Sequence, residues 1–292
     1  MNQNGFLYLE DVTQTTKRAL VLSGGGSKGA FQVGKILQLT EQADFKSWDI
    51  ISGVSVGAIN AGFLAMFNKE DQHLGALGLR DLWLKHVTGN SSVYHTWAPG
   101  LLTYIPAIWK GSLFSTAPLK SVIVNNIDHY RCINSNVITT VGTCSINTGK
   151  YKTVSKSDIH FLDYILASAS FPIAFPAVEI GGDLYTDGGV RTVIPIMDAI
   201  SLGATDIDVI MTSPPEHVMR SVASSAIRKI VPFALRVTDI LLDEVFMADV
   251  ARIQHEHKVN IRVHAPRRMP SKTSLDFNGE NVRELLEAGY LY

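Results

Sequence analysis

Ser55 lies between two glycines in the run Gly53-Val54-Ser55-Val56-Gly57, and the chain changes character across it. Asp49 to Ser52 suits a short strand. Val56 to Phe67 suits an apolar helix whose small residues Gly57, Ala58, Ala61, Gly62 and Ala65 let it lie close to a sheet. A serine on a sharp strand-to-helix turn has its side chain pushed outward, and glycines two before and two after it remove Cβ atoms that would clash. The helix amino end adds unpaired N–H groups and partial positive charge, which favour developing negative charge. This arrangement suits nucleophilic attack by the serine hydroxyl.

Two other stretches offer partners for such a nucleophile. Gly24-Gly25-Gly26-Ser27-Lys28-Gly29 follows the buried-strand run Arg18 to Ser23 and precedes the helix AFQVGKILQLTEQ. Gly24, Gly26 and Gly29 fit the spacing of a dinucleotide fingerprint, but that fold needs an acidic residue at the end of the next strand. Here Asp49 precedes that strand, which ends instead in the serine turn. A phosphate-binding P-loop fails as well, because Lys28 precedes the last glycine and Ala30 stands where the lysine belongs. Two readings remain, a glycine run whose backbone N–H groups hold an oxyanion and a tight turn without a ligand. Asp187 is followed by Gly188 and Gly189 and ends the second arm of a hairpin, VEIGGDLYT, turned at Gly181-Gly182. An aspartate before two glycines is, by itself, a turn signal. His217, His255, His257 and His264 follow Asp187 in the order of a serine-acid-histidine triad, but none sits on an evident loop after a short strand.

The elements that must position these residues alternate along the chain. Strands are expected at 136–146 with a hairpin partner at 151–154, at 206–212 and at 259–264. Helices are expected within 68–88, over 116–126, from a cap at Asp158 to about Ser168, over 195–202, and over 278–288 with Gly289 as its stop. Residues 219–255 carry helical periodicity with Arg220, Arg228, Lys229 and Arg236 interleaved, read as a core-packing helix pair with a solvated basic edge, or as a membrane-surface helix. The alternation predicts an α/β fold, a central mostly parallel sheet covered by helices on both faces. One domain over 18–292 after a polar lead-in at 1–17 is expected. The segment 88–115 mixes Trp97, Tyr104, Trp109 and Phe114 with prolines and glycines, and reads as a lid, an acyl-chain wall or a packed surface loop.

Composition narrows the function classes. The 292 residues are 46% hydrophobic, enough for a large core, and 26 basic against 27 acidic residues leave no field to attract nucleic acid. Cys132 and Cys144 are too few for a disulfide scaffold or a zinc site, and no Asp/Asn-rich loop suggests calcium. Glu10 and Asp11 interrupt any amino-terminal apolar segment, and nowhere do eighteen apolar residues run together. The expected location is cytoplasmic or peripheral to a membrane, with signal-less export compatible with both.

GGGSKG, GVSVG and Asp187-Gly188-Gly189, in that order and each after an expected strand, resemble the motifs of the patatin-like phospholipases. ASASFPIAFP at 167–176 is similar to the proline-containing block before that family's catalytic aspartate. SLDFNGENVRELLEAGY is similar to its carboxyl-terminal end. The resemblance covers about Arg18 to Tyr290, with Lys28 standing where the family usually carries arginine. It implies a three-layer patatin-like fold, Ser55 as nucleophile, Asp187 as its partner in a dyad and Gly24, Gly25 and Gly26 as the oxyanion loop. Lys28, Gly29, Gly53, Gly57, Gly188 and Gly189 complete the motifs, and no cofactor or metal is implied. The implied activity is hydrolysis of phospholipid or lysophospholipid acyl esters. A catalytically silent or partner-activated lipid- or protein-binding module on the same fold is the alternative.

Overall fold

The computed structural model describes residues 16–98, 109, 111–216, 223–256, 258–268 and 274–291. Its strands are β1 (Lys17–Leu22), β2 (Ile50–Val54), β3 (His95–Thr96), β4 (Phe114–Ser115), β5 (Ile138–Ser145), β6 (Tyr151–Ser155), β7 (Val178–Ile180), β8 (Asp183–Asp187), β9 (Ala204–Ile210) and β10 (Asn260–His264). Its helices are α1 (Gly29–Thr40), α2 (Val56–Leu64), α3 (Gln72–His86), α4 (Ala117–Asn126), α5 (His129–Asn134), α6 (Phe161–Ser168), α7 (Ile196–Ser201), α8 (Ile230–His255) and α9 (Gly279–Leu291).

The main sheet runs β10-β9-β1-β2-β5-β8-β7, with β6 also paired to β5. From β10 to β5 every pairing is parallel, whereas β6, β7 and β8 join antiparallel. Alternation along β1 sends Leu20 and Leu22 to one face and Ala19 and Val21 to the other. Leu20 and Leu22 belong to a core with Phe31, Ala58, Leu79 and Ile165 from α1, α2, α3 and α6. Ala19 and Val21 belong to a second core with Ala199 of α7 and Phe246 and Val250 of α8. Helices therefore cover both faces, as the alternation of elements predicts.

The register along β5 decides where the site forms. β2 pairs with β5 up to Val54 opposite Gly142, and β8 pairs with it from Asp187 opposite Thr143. β6 occupies Thr140 to Cys144 on the other edge, so β2 and β8 share one edge and meet end to end. Val54, the last residue of β2, and Asp187, the last of β8, stand opposite consecutive residues of β5, which brings Ser55 and Asp187 together.

Three expectations are corrected. Gly289 does not stop the last helix, because α9 continues to Leu291. A Cβ there would overlap the Phe31 carbonyl oxygen, and one on Gly34 would overlap the Leu286 carbonyl oxygen, so this glycine serves a close α1–α9 crossing. In place of a core-packing helix pair, the described part of 219–255 is a short turn at Ser224–Ile227 followed by one 26-residue helix, α8. Asp158 caps the turn before α6, accepting the His160 N–H at 2.9 Å, and the helix itself begins at Phe161.

Candidate active site

Ser55 has φ 57° and ψ −126°, a conformation that costs a non-glycine residue on the order of 1–3 kcal/mol. The neighbouring glycines relieve close approach, not backbone torsion. A Cβ on Gly53 would overlap the Gly57 carbonyl oxygen, and one on Gly57 the Leu22 carbonyl oxygen. Gly29, likewise, leaves room for the Val56 side chain. The strained turn is held from outside by Ser168, the last residue of α6, which is fully buried. Its hydroxyl accepts the Ser55 N–H at 2.8 Å and donates to the Gly142 carbonyl at 2.6 Å. Sequence reasoning missed Ser168, since a serine in ASASF carries no pattern beyond the proline block that follows it.

Asp187 is 3% exposed and accepts hydrogen bonds from the Ser55 hydroxyl and, at 2.7 Å, from the Gly189 N–H. Burial pushes its pKa up to about 7, while these two bonds pull partly in the other direction. Among the described residues no ammonium, guanidinium or histidine contributes to that balance. Gly188 lets this turn lie on β5, because a Cβ there would overlap the Gly142 carbonyl oxygen.

The glycine loop closes over Ser55 from the end of β1. Gly24 abuts the nucleophile, a Cβ on it falling 3.2 Å from that of Ser55, and its N–H donates to the Val193 carbonyl at 2.9 Å. Gly25 and Gly26 have φ of 150° and 58°, and a Cβ on either would overlap Thr212 or the Ser274 carbonyl. The Ser27 N–H is taken by the Ser274 carbonyl at 2.8 Å. Among the described residues this leaves the N–H groups of Gly25 and Gly26 without a protein acceptor. A buried amide relay backs the loop: Trp83 Nε1 donates to Asn60 Oδ1 at 2.9 Å, Asn60 Nδ2 to Gln32 Oε1 at 3.0 Å, and Gln32 Nε2 to the Ser23 carbonyl at 2.8 Å. Its members lie on three helices at unrelated spacings, which hides the relay from sequence inspection.

Lys28 is buried and donates to Ser213 Oγ at 3.0 Å. Burial lowers its pKa to about 8, and Asp239 and Asp243 of α8 act in the opposite direction. A second tie to α8 comes through Asp249, whose Oδ2 accepts the N–H groups of Val193 and Ile194 at 2.7 and 2.9 Å. Because the Val193 carbonyl receives the Gly24 N–H, this one residue links the Asp187 turn, the glycine loop and α8.

Two of the candidate histidines are engaged elsewhere. His264 Nε2 meets Asp208 Oδ1 at 3.1 Å on β10, three strands from β2 or roughly 14 Å at the usual strand spacing, and His255 Nδ1 bonds the Ala251 carbonyl. His217 and His257 lie outside the described residues. Of the 88–115 segment, Tyr104 also lies outside them, while Trp109 is 86% exposed. Tyr94 and Phe114 pack on each other at 4.7 Å between centroids and on Phe175 of the proline block. Backbone bonds from Leu113 and Phe114 to the Ile173 and Ala174 carbonyls reinforce that contact. Among the described residues no cluster of three or more His, Cys, Asp or Glu is placed to hold a metal ion. No described helix is long and apolar enough to cross a membrane.

Comparison with known proteins identifies relatives of this chain. The lysophospholipase NTE1 of Debaryomyces hansenii is 25% identical over 213 residues, covering 70% of this chain, and that of Meyerozyma guilliermondii is 24% identical over 214 residues, also covering 70%. This chain spans only 12% and 13% of those relatives' own lengths. The crystal structure of VipD from Legionella pneumophila is similar at a TM-score of 0.40 and 13% identity, over 93% of this chain and 67% of that one. The family model for patatin-like phospholipase matches residues 20–200, well over half the sequence and including all three glycine-bearing motifs, and the chain belongs to the patatin-like phospholipase family.

Proposed function

We propose that the protein is a lipid acyl hydrolase that cleaves carboxylic esters of phospholipids or lysophospholipids through a Ser55-Asp187 dyad. The observation that carries this reading is the buried Asp187 carboxylate, hydrogen-bonded to Ser55 with its pKa pushed up to about 7. A carboxylate near its ordinary pKa is a poor base at neutral pH, and desolvation makes this one a useful base. Asp187 takes the Ser55 proton as Oγ attacks the ester carbonyl. The Gly25 and Gly26 N–H groups, with the amino end of α2, receive the charge that develops on the carbonyl oxygen. Gly24 acts as the spacer that lets the loop approach Ser55. The proton passes to the departing alcohol, an acyl-enzyme forms on Ser55, and water, deprotonated by Asp187, releases the fatty acid. The lysophospholipases among the relatives support a lipid substrate, and peripheral contact with a membrane follows from that substrate's habitat.

Fatty-acid release from phospholipid vesicles and turnover of a short soluble ester test the reading. Ser55→Ala and Asp187→Asn are each expected to lose at least ~10³-fold in kcat/KM on both substrates. Residual activity within tenfold of the parent in either variant would remove that residue from the dyad.

A further inference from the structure

Helix α8 has two contrasting faces. Ile230, Phe233, Val237, Ile240 and Leu241 recur at helical spacing along one side and are 83, 56, 38, 47 and 62% exposed. The opposite side carries the contacts to the catalytic machinery. Leu242 lies against Gly189, Asp249 holds Val193 and Ile194, and Phe246, Val250 and Ile253 enter the core. Among the described residues of α8, the fully buried positions fall from Phe246 onward. In the first half the inner side packs on the body through Leu242 while the apolar stripe faces outward, and exposed Arg228 and Lys229 stand at its entry. A soluble surface seldom keeps so many large apolar groups contiguous unless they meet a partner.

We propose that the outward stripe of α8 seats the protein on a lipid bilayer bearing anionic headgroups, an inference that rests on the lipid-hydrolase reading of the site behind it. Two observations favour a bilayer over a protein partner. The stripe belongs to the same helix that touches the Asp187 turn, so docking brings the site to the surface where its substrate resides. Arg228 and Lys229 supply cationic contacts at the headgroup level, beside apolar side chains that enter the acyl boundary.

The test measures co-flotation of the full chain with phosphatidylcholine vesicles, with and without phosphatidylglycerol. The Ser55→Ala background keeps the lipid intact. The protein is expected to float with the anionic vesicles, and Phe233→Asp with Leu241→Asp to reduce the bound fraction's apparent affinity about tenfold or more. In the active background this double variant is expected to lose vesicle hydrolysis while turning over a short soluble ester within about twofold of the parent. Unchanged flotation of the double variant overturns the proposal. So does a parent that never floats, or one whose stripe proves by light scattering to be covered in a homodimer. Flotation by a parent that hydrolyses neither substrate leaves the docking surface standing and removes the hydrolase reading, so the two failures are distinct.

Discussion

Asp187 and Asp208 are both buried, both on strands of the same sheet, and they carry opposite charge environments. Around Asp187 the donors are a hydroxyl and a backbone N–H, and burial raises its pKa to about 7. Around Asp208 burial pushes the same way, but hydrogen bonds from His264, Arg262 and Trp48, together with the Arg262 charge, hold the carboxyl well below the usual carboxylate range. Arg18 adds a further contact at 3.0 Å, and Asp206 completes the network by pairing with both arginines. Burial alone therefore says little about what an acidic side chain does. With no cation beside it among the described residues, Asp187 suits the base role proposed for it and is held at a cost to stability. Asp208 is a structural anion that joins β1, β9 and β10.

Stability against pH sharpens this contrast most. Asp187 binds its proton more tightly folded than unfolded, so between about pH 4 and about pH 7 the parent should lose stability as pH rises. Asp187→Asn removes that penalty. It should be more stable than the parent by up to ~4 kcal/mol at pH 7, from a shift of roughly three pKa units, with the gain disappearing toward pH 4. Urea unfolding across that range measures it, and a less stable variant at pH 7 would break the contrast. The same carboxylate should make kcat/KM fall about tenfold per pH unit below about pH 7.

Asp208→Asn should act with the opposite sign, destabilising by about 3 kcal/mol because Arg18 and Arg262 keep only Asp206 as their carboxylate in the network. Its stabilising share is present above the unfolded pKa near ~4 and is lost as pH falls through the lower folded value. The variant's pH-rate profile on a soluble ester should match the parent's. A shifted profile would mean that the two carboxylates are coupled after all.

Ser168→Ala should have the smallest effect. It leaves the Ser55 N–H and the Gly142 carbonyl without their shared partner, and kcat should fall about tenfold with KM little changed. A normal kcat would show that Gly53, Gly57 and the β5 register suffice to hold the turn.

Ser55, Asp187 and the glycine loop were legible because steric exclusion leaves a mark in the sequence, glycine wherever a Cβ has no room. The Gly181-Gly182 hairpin, with φ of 61° and 87°, was legible for a related reason, since few other residues take those torsions. Ser168, Asp249 and the Trp83-Asn60-Gln32 relay left no such mark, because hydrogen bonds between distant residues impose no local spacing. Gly289 shows the ambiguity of the signal itself: a glycine near a helix end reads as a stop, and only the presence of α1 alongside reveals a contact. The apolar positions of α8 had the right period, but periodicity cannot tell a covered stripe from an open one.

The end-to-end meeting of β2 and β8 on β5 carries a consequence for how this enzyme family can diversify. Ser55 and Asp187 take their separation from the step between Gly142 and Thr143, and not from the length of chain that runs from Val56 to Thr186. Insertions or exchanges in the helices and in the 88–115 segment can therefore alter the surroundings of the site while the placement of Ser55 and Asp187 stays fixed. The placement of the two side chains is thus independent of the segments around them, with β5 as the gauge block between Ser55 and Asp187.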